Sequence, residues 1–338
     1  MNTDDKIQNL FKNFAATRIL VIGDVMLDAY IWGDVERISP EAPVPIVSVK
    51  SKESRLGGAA NVALNLKALG ASPLLCSVIG NDIKAQEFIN LLDEEKLPSN
   101  FIVKSNNRKT TTKFRIIGNN VQLLRVDDEI TTPINKTENK KLTDKIKTLI
   151  ENNKVDVILF QDYDKGVISK ELIDTVTNLA LTKKIPVAVD PKKNNFLHYK
   201  NVSLFKPNLK ELEEGLNINV NLKDIATVEK AVSSLQSILN AGIIMSTLSE
   251  GGVFTRWQQN GKYFSVHQKA HIRNIADVSG AGDTVISVAA LCLAQGMSPD
   301  KITQIANIAG GLVCEEVGVV PVNKNRLIKE ILNSGVLG

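Results

Sequence analysis

Arg18-Ile19-Leu20-Val21-Ile22-Gly23-Asp24 is an apolar run of strand length, closed by a glycine and an acid, and it sets the pattern for most of the chain. The same kind of run returns as SPLLCSVIG (72–80), VDVILFQD (155–162), IPVAVDP (185–191), VSLFKPN (202–208) and GIIMSTL (242–248). Helix-period segments separate these runs, among them one near Ala59 to Leu69, one after Asp82 and a charged one ahead of VDVILFQD. Continuous Val/Ile/Leu strands joined by crossover helices predict a mainly parallel sheet buried on both faces, the doubly wound α/β class.

Two regions break the rhythm. Residues 30–50 (YIWGDVERISPEAPVPIVSVK) hold three prolines, which forbid helix and favour an edge or lid strand. Residues 109–127 (KTTTKFRIIGNNVQLLRVD) place Gly118-Asn119-Asn120 as turn chemistry between two alternating strands. Both read as antiparallel ribbon, together one small β-lid on a single domain spanning 1–338. A further hairpin, GGVFTRW to KYFSVH around Asn260-Gly261, is expected to flank a nucleotide. No repeat, low-complexity tract or dividing linker interrupts the chain.

The chemistry concentrates at Asp277-Val278-Ser279-Gly280-Ala281-Gly282-Asp283-Thr284, followed by VISVAALCLAQ and Gly296 as a helix stop. Glycines opening a helix let backbone N–H groups approach an anion, and the helix dipole adds positive charge there. Asp283 falls in the first turn, where those dipoles should keep it ionised. It can then take a proton from a hydroxyl while adjacent amides bind a migrating phosphoryl group. A bare Gly-x-Gly-Asp equally suits an ordinary helix start, so the rest of the chain must decide. A second glycine-opened helix begins at Gly57-Gly58-Ala59-Ala60-Asn61 and ends at Gly70. Its glycines would let a substrate hydroxyl lie against backbone, with Asn61 as donor and acceptor, or would merely make a tight turn. Neither a Walker A sequence nor a GxGxxG after the first strand occurs, which disfavours P-loop kinases and Rossmann dehydrogenases.

GGAANVALNLKALGA and DVSGAGDTVIS closely resemble the two signature segments of ribokinase-like (PfkB-type) carbohydrate kinases, in the same order and at a similar separation. VIGDVMLDAY, RISPEAPVPIV, TTKFRIIGNNVQLLRVD, DYDKG, VDPK and KPNLKELE extend the likeness over nearly the whole chain. They resemble the branch that phosphorylates D-glycero-D-manno-heptose 7-phosphate at O1, and RISPEAPVP separates that branch most from ribokinases, fructokinases and adenosine kinases.

The resemblance implies ATP and Mg²⁺ as cofactors, with Asp283 as base and Gly280, Ala281 and Gly282 as anion hole. It implies nucleotide contacts at Asn208, Glu211, Thr247, Ser249 to Gly252 and Asn307, with Glu211 acting on Mg²⁺ through water. Asp28 would hold sugar hydroxyls, alongside Gly57, Gly58 and Asn61. It further implies K⁺ near Asp277 and Gly318, and a homodimer paired through lid strands. KPNLKELE is also a capped amphipathic helix with Asn208 and Glu211 as a capping box, a reading compatible with the first. A rival substrate (another sugar, sugar phosphate or nucleoside) and a sugar-phosphate-binding protein without catalysis stay open.

A phosphorylated sugar calls for cations at the end of the pocket away from ATP. Lys113, Arg115 and Arg125 on the lid strands fit that need as a cluster, ahead of Arg37, Arg55, Lys165 and Lys192. His198, His267 and His271 show no metal spacing and are expected at the surface or in the hairpin. The HxGH-type motif of the nucleotidyl-transferring domain carried by related bifunctional proteins does not occur, so that step is expected of a separate protein.

The bulk properties agree. A net charge of +4 is spread along the 338 residues, which fits small anionic ligands and does not suggest nucleic acid. Cys76, Cys292 and Cys314 sit apart in apolar runs and read as buried thiols of a reducing compartment. The polar MNTDDKIQNLFKNF lacks an apolar signal core, and no run approaches the roughly 18 residues of a membrane span, so the cytoplasm is expected.

Overall fold

A computed structural model describes residues 3–152, 154–270, 275–316 and 318–338. Helix α1 (Thr3–Ala16) buries Ile7, Leu10, Phe11 and Phe14, the spacing of one helix face. β1 (Arg18–Gly23), β2 (Val25–Ile38) and β3 (Pro45–Gly58) follow, and β3 leads directly into α2 (Ala59–Ala68). Next come β4 (Ser72–Gly80), α3 (Ile83–Glu94), β5 (Ile102–Ser105), β6 (Thr112–Gly118), β7 (Val121–Asp128) and α4 (Lys136–Glu151). β8 (Val157–Gln161), α5 (Lys170–Lys183), β9 (Val187–Asp190), β10 (Leu204–Phe205), α6 (Leu209–Leu216) and α7 (Ile225–Leu239) continue the alternation. β11 (Ile243–Thr247), β12 (Val253–Gln259), β13 (Lys262–Gln268), α8 (Ala281–Ala294), α9 (Pro299–Val313) and α10 (Lys324–Ser334) complete it.

Among the described residues nine strands form one sheet in the order β13-β12-β11-β10-β9-β8-β1-β4-β5. All pairs from β5 to β11 are parallel, and β12 and β13 add an antiparallel edge. The chain starts at β1, winds outward to β4 and β5, then returns to β8 and winds the other way. That reversal places a crevice at the carboxyl ends of the strands. Alternate residues of β1 feed the two cores. Ile19 and Val21 pack with residues of α1, α2, α8 and α9, while Leu20 and Ile22 pack with α4, α5 and α7. VSLFKPN keeps only two strand residues, Leu204 and Phe205, and Pro207, which has no N–H for a ladder, follows shortly after them. Helix α8 is buried without a break from Asp283 to Cys292, as expected of a helix apolar on every side.

β2, β3, β6 and β7 form a second sheet in the order β3-β2-β6-β7. The two ribbons foreseen in the sequence are joined by a parallel β2–β6 pair, and the first is longer than 30–50. Pro45 is the first residue of β3, where a missing N–H is tolerated. The β6–β7 and β12–β13 turns use Asn119-Asn120 and Asn260-Gly261, all with positive φ, as two-residue hairpins require. Cys76 and Cys292 are buried, and burial pushes both thiols up. Cys314 departs from expectation: it is part-exposed, on a cavity wall described below. His271 lies outside the described residues. No helix among the described residues is long and apolar enough to cross a membrane.

Candidate active site

Helices α2 and α8 abut at their amino ends, which brings the two glycine segments together from opposite ends of the chain. Gly280 caps α8 with φ 80°, a conformation that L side chains resist. Thr284 Oγ1 donates to Asn65 Oδ1 at 2.9 Å, and Asn61 Nδ2 donates to Asp283 Oδ2 at 2.7 Å. From the other side, Tyr163 Oη donates to Asp283 Oδ1 at 2.7 Å and Gln161 Nε2 does so at 3.2 Å. Asp283 is thus buried yet forms part of the wall of a cavity of about 580 Å³.

Burial pushes the Asp283 carboxyl up to about 6 from its ordinary 3.8, although the Asn61 and Tyr163 hydrogen bonds and the charge of Lys206 pull it down. Desolvation on burial therefore sets the net direction, at a helix start that by itself would favour the charge. At neutral pH roughly nine in ten carboxyls remain ionised, so the group can still accept a proton.

Beneath the glycines lies an ion pair, Lys206 Nζ to Asp190 Oδ1 at 3.1 Å, with both side chains buried. A Cβ on Gly282 would stand 3.7 Å from that ammonium, so a phosphate oxygen drawn to the α8 amides also meets a fixed positive charge. Lys192 stands opposite, paired with Glu211 and set 5.6 Å over the Tyr163 ring. Desolvation pulls Lys192 down, but Asp190, Glu211 and Asp283 outweigh it and the net displacement is upward.

Asn208 and Glu211 form the full capping box of α6: Asn208 Oδ1 accepts from the Glu211 amide at 2.8 Å, and Glu211 Oε2 accepts from the Asn208 amide at 2.9 Å. Both also line the cavity, so the capping box does not withdraw them from it. Thr247 at the end of β11, Ser249 and Gly252 in the following turn, and Asn307 on α9 line the same cavity. Asn307 Nδ2 donates to the Lys269 carbonyl at 2.9 Å, and the His267 ring meets the Gly251 carbonyl at 2.7 Å. The donor set suits a nucleoside polyphosphate: N-terminal amides and Lys206 for the phosphates, with Glu211 as the acidic oxygen ligand a Mg²⁺ ion needs beside phosphate and water.

The remaining predicted residues sit towards the second sheet, off that cavity wall. Gly57 lacks a Cβ because the Asp28 carboxylate occupies its place, with Oδ2 2.2 Å from where a Cβ would be. A Cβ on Gly58, at φ 61°, would lie 2.5 Å from the Asp24 carbonyl. These glycines therefore answer first to packing against β2. Asn61, expected to contact a polyol, donates from Nδ2 to Asp283.

The three lid cations do not form an unpaired cationic cluster. Arg115 Nη1 donates to Asp28 Oδ1 at 2.5 Å, Lys113 bonds Asp127 at 3.2 Å, and Arg125, facing Arg115 across the strands, bonds Asp127 at 2.9 Å. Arg55 pairs with Glu53, Lys165 pairs with Glu129, and Arg37 is exposed. Gln161, Tyr163, Asp190 and Lys206 went unnamed as site residues in the sequence reading. Their available signal was position, since each falls at or just after the carboxyl end of an apolar run.

Comparison with known proteins adds to this geometry. The family described as pfkB family carbohydrate kinase matches residues 16–326. The bifunctional protein HldE of Methylobacillus flagellatus is 38% identical over 313 residues, covering 93% of this chain and 63% of that protein. The chain therefore spans under two thirds of that relative's length. Phosphofructokinase-2 from Escherichia coli in complex with potassium superposes with a TM-score of 0.76 at 18% identity, covering 94% of this chain and 99% of its own. Arabidopsis thaliana ribokinase complexed with ribose and ATP gives 0.70 at 15%, covering 93% and 99%.

Proposed function

Because the chain belongs to the pfkB family of carbohydrate kinases, we propose that it phosphorylates D-glycero-D-manno-heptose 7-phosphate at O1 with ATP. The product, the 1,7-bisphosphate, would serve ADP-heptose and lipopolysaccharide-core precursor synthesis in the cytoplasm. One observation carries the reading: a buried carboxylate, Asp283, held by Asn61 and Tyr163 at the mouth of a glycine cradle. In this reading Asp283 takes the proton of the sugar hydroxyl while the amides of Gly280, Ala281 and Gly282, with Lys206, receive the migrating phosphoryl group.

Asn208, Thr247, Ser249, Gly252 and Asn307 would border the nucleotide. Glu211 would hold Mg²⁺ through water, and the ion would neutralise charge on the phosphates. Asp28 with Arg115, and Lys113 with Arg125, would orient the sugar and its phosphate once their present partners exchange. K⁺ would act near Asp277, whose Oδ2 already accepts from the Gly318 amide at 3.0 Å.

The heptose assignment draws on the RISPEAPVP phrase and on the HldE relative. A coupled ADP-release assay tests it with both anomers of heptose 7-phosphate, fructose 6-phosphate, ribose and fructose. The heptose phosphate is expected to give the largest kcat/KM, and a larger value for any other sugar sinks the substrate assignment.

The second sheet would act as a lid and as a dimer surface. β7 is one of its two edge strands and exposes Val121, Leu124 and Val126, an apolar row that invites pairing with a second copy. Light scattering over a concentration series is expected to show a dimer for the parent and a monomer for Leu124→Lys with Val126→Lys. A parent that stays monomeric throughout ends that assignment.

A further inference from the structure

Asp24 is the single residue between β1 and β2, and it touches both elements that hold Asp283. Its carbonyl accepts from the Ala59 amide at 2.9 Å, at the start of the helix that carries Asn61. Its amide donates to the Gln161 carbonyl at 3.2 Å. Its carboxylate, almost wholly buried, accepts three backbone N–H groups of the loop after β8: Tyr163 at 2.8 Å, Lys165 at 3.2 Å and Val167 at 3.0 Å. A carboxylate spent on three amides of one short loop fixes that loop's course. Among the described residues, that loop reaches the base through the Tyr163 hydroxyl.

We propose that Tyr163 is a positioning residue for phosphoryl transfer, holding Asp283 in its charged form and rotamer, and that Asp24 acts one step behind by fixing the Tyr163 loop. This rests on Asp283 being the base. The phenol does not itself move a proton to or from the substrate. Burial, with Asp283 and Asp190 nearby, pushes Tyr163 well above its ordinary range, so it stays a donor throughout. The sugar hydroxyl gives its proton to Asp283, the new P–O bond forms as the bond to the β-phosphate oxygen breaks, and ADP leaves. The groups facing Asp283 are Asn61 from α2, Gln161 and Tyr163 from the end of β8, Asp190 and Lys192 from the end of β9, and Lys206 from the end of β10. Tyr163→Phe removes one of these donors with no change of charge and little change of volume.

The test is the pH profile of kcat at saturating ATP and sugar for the parent, Tyr163→Phe, Asp24→Asn and their double variant. Loss of a hydrogen bond to a charged group should raise the acid limb by about one pH unit in Tyr163→Phe, so that kcat falls about fivefold near pH 6 and far less near pH 8.5. A site-specifically incorporated fluorotyrosine at 163, a stronger donor of the same shape, should move the limb the other way, and it serves if the Phe variant folds poorly. Asp24→Asn should raise the limb alone but add little to Tyr163→Phe. A limb that stays in place with Phe or fluorotyrosine overturns the role of Tyr163, and additive shifts in the double variant overturn that of Asp24. Turnover surviving in Asp283→Asn would instead overturn the base assignment beneath both.

Discussion

Asp283→Asn is expected to lower kcat by roughly 10²–10⁴ while leaving Mg-ATP affinity unchanged. The amide has the shape of the carboxyl, and its environment can accept it. Asn61 Nδ2 can still donate to the new carbonyl oxygen, and the new amide can donate to the Tyr163 oxygen, now a donor at 2.7 Å, while the Gln161 amide, which donates to the same Oδ1 at 3.2 Å, must turn away. What disappears is an acceptor basic enough to take the proton of a sugar hydroxyl. The same substitution has a second, opposite effect on stability. Asp283 titrates near 6 in the folded chain against 3.8 ordinarily, mainly because burial disfavours its charge.

A carboxyl raised in this way contributes stability that is complete below about pH 4 and lost as the pH climbs through about 6. Above that, keeping it ionised in the core costs about 3 kcal/mol. Asp24, also raised to about 6 by burial and by Asp162, is common to both proteins and cancels in their difference. The Asn variant should therefore be the more stable of the two in urea at pH 8, with the gap closing near pH 4. Unchanged turnover would dismiss Asp283 as base, and a gap of equal size at both pH values would dismiss the buried charge as its cause.

The parallel strands were legible because burial on both faces writes them as uninterrupted aliphatic runs, as in RILVIGD and VDVILFQD. α1 escaped notice although Ile7, Leu10, Phe11 and Phe14 carry its period, because the polar residues between them dominate the segment's composition. β5 escaped because Ile102–Ser105 is too short for a pattern. Within the site, Asp283 and its glycines could be read together because one helix turn holds all of them. Gln161 and Asp190 end β8 and β9 and Lys206 follows β10, and the β8-β9-β10 order makes them neighbours. The cations of the second sheet were visible as residue types. Their neutralisation depends on strand register, which sets Asp127 opposite Lys113 and brings Asp28, opposite Lys113 on the other side, within diagonal reach of Arg115.

Lys206→Met should cost about 3–5 kcal/mol of stability, because it strands Asp190 as an unpaired carboxylate in the core. Gln161 Nε2, at 3.2 Å from Asp190 Oδ2, can soften that penalty but cannot supply charge. Removing both charges with Asp190→Asn in the Lys206→Met background should return the urea midpoint close to the parent, since a buried ion pair repays little more than its own desolvation. Turnover should behave differently. Lys206 stands directly under the Gly282 cradle and is among the charges that hold Asp283 down, so its loss removes attraction for the phosphoryl group and raises the base at once. The double variant should accordingly regain stability and remain roughly 10²–10³-fold slow, the range seen when a preorganised donor is lost. If stability and turnover return together, Lys206 is only the counter-charge of Asp190, and the phosphoryl group is held by the α8 amides without it.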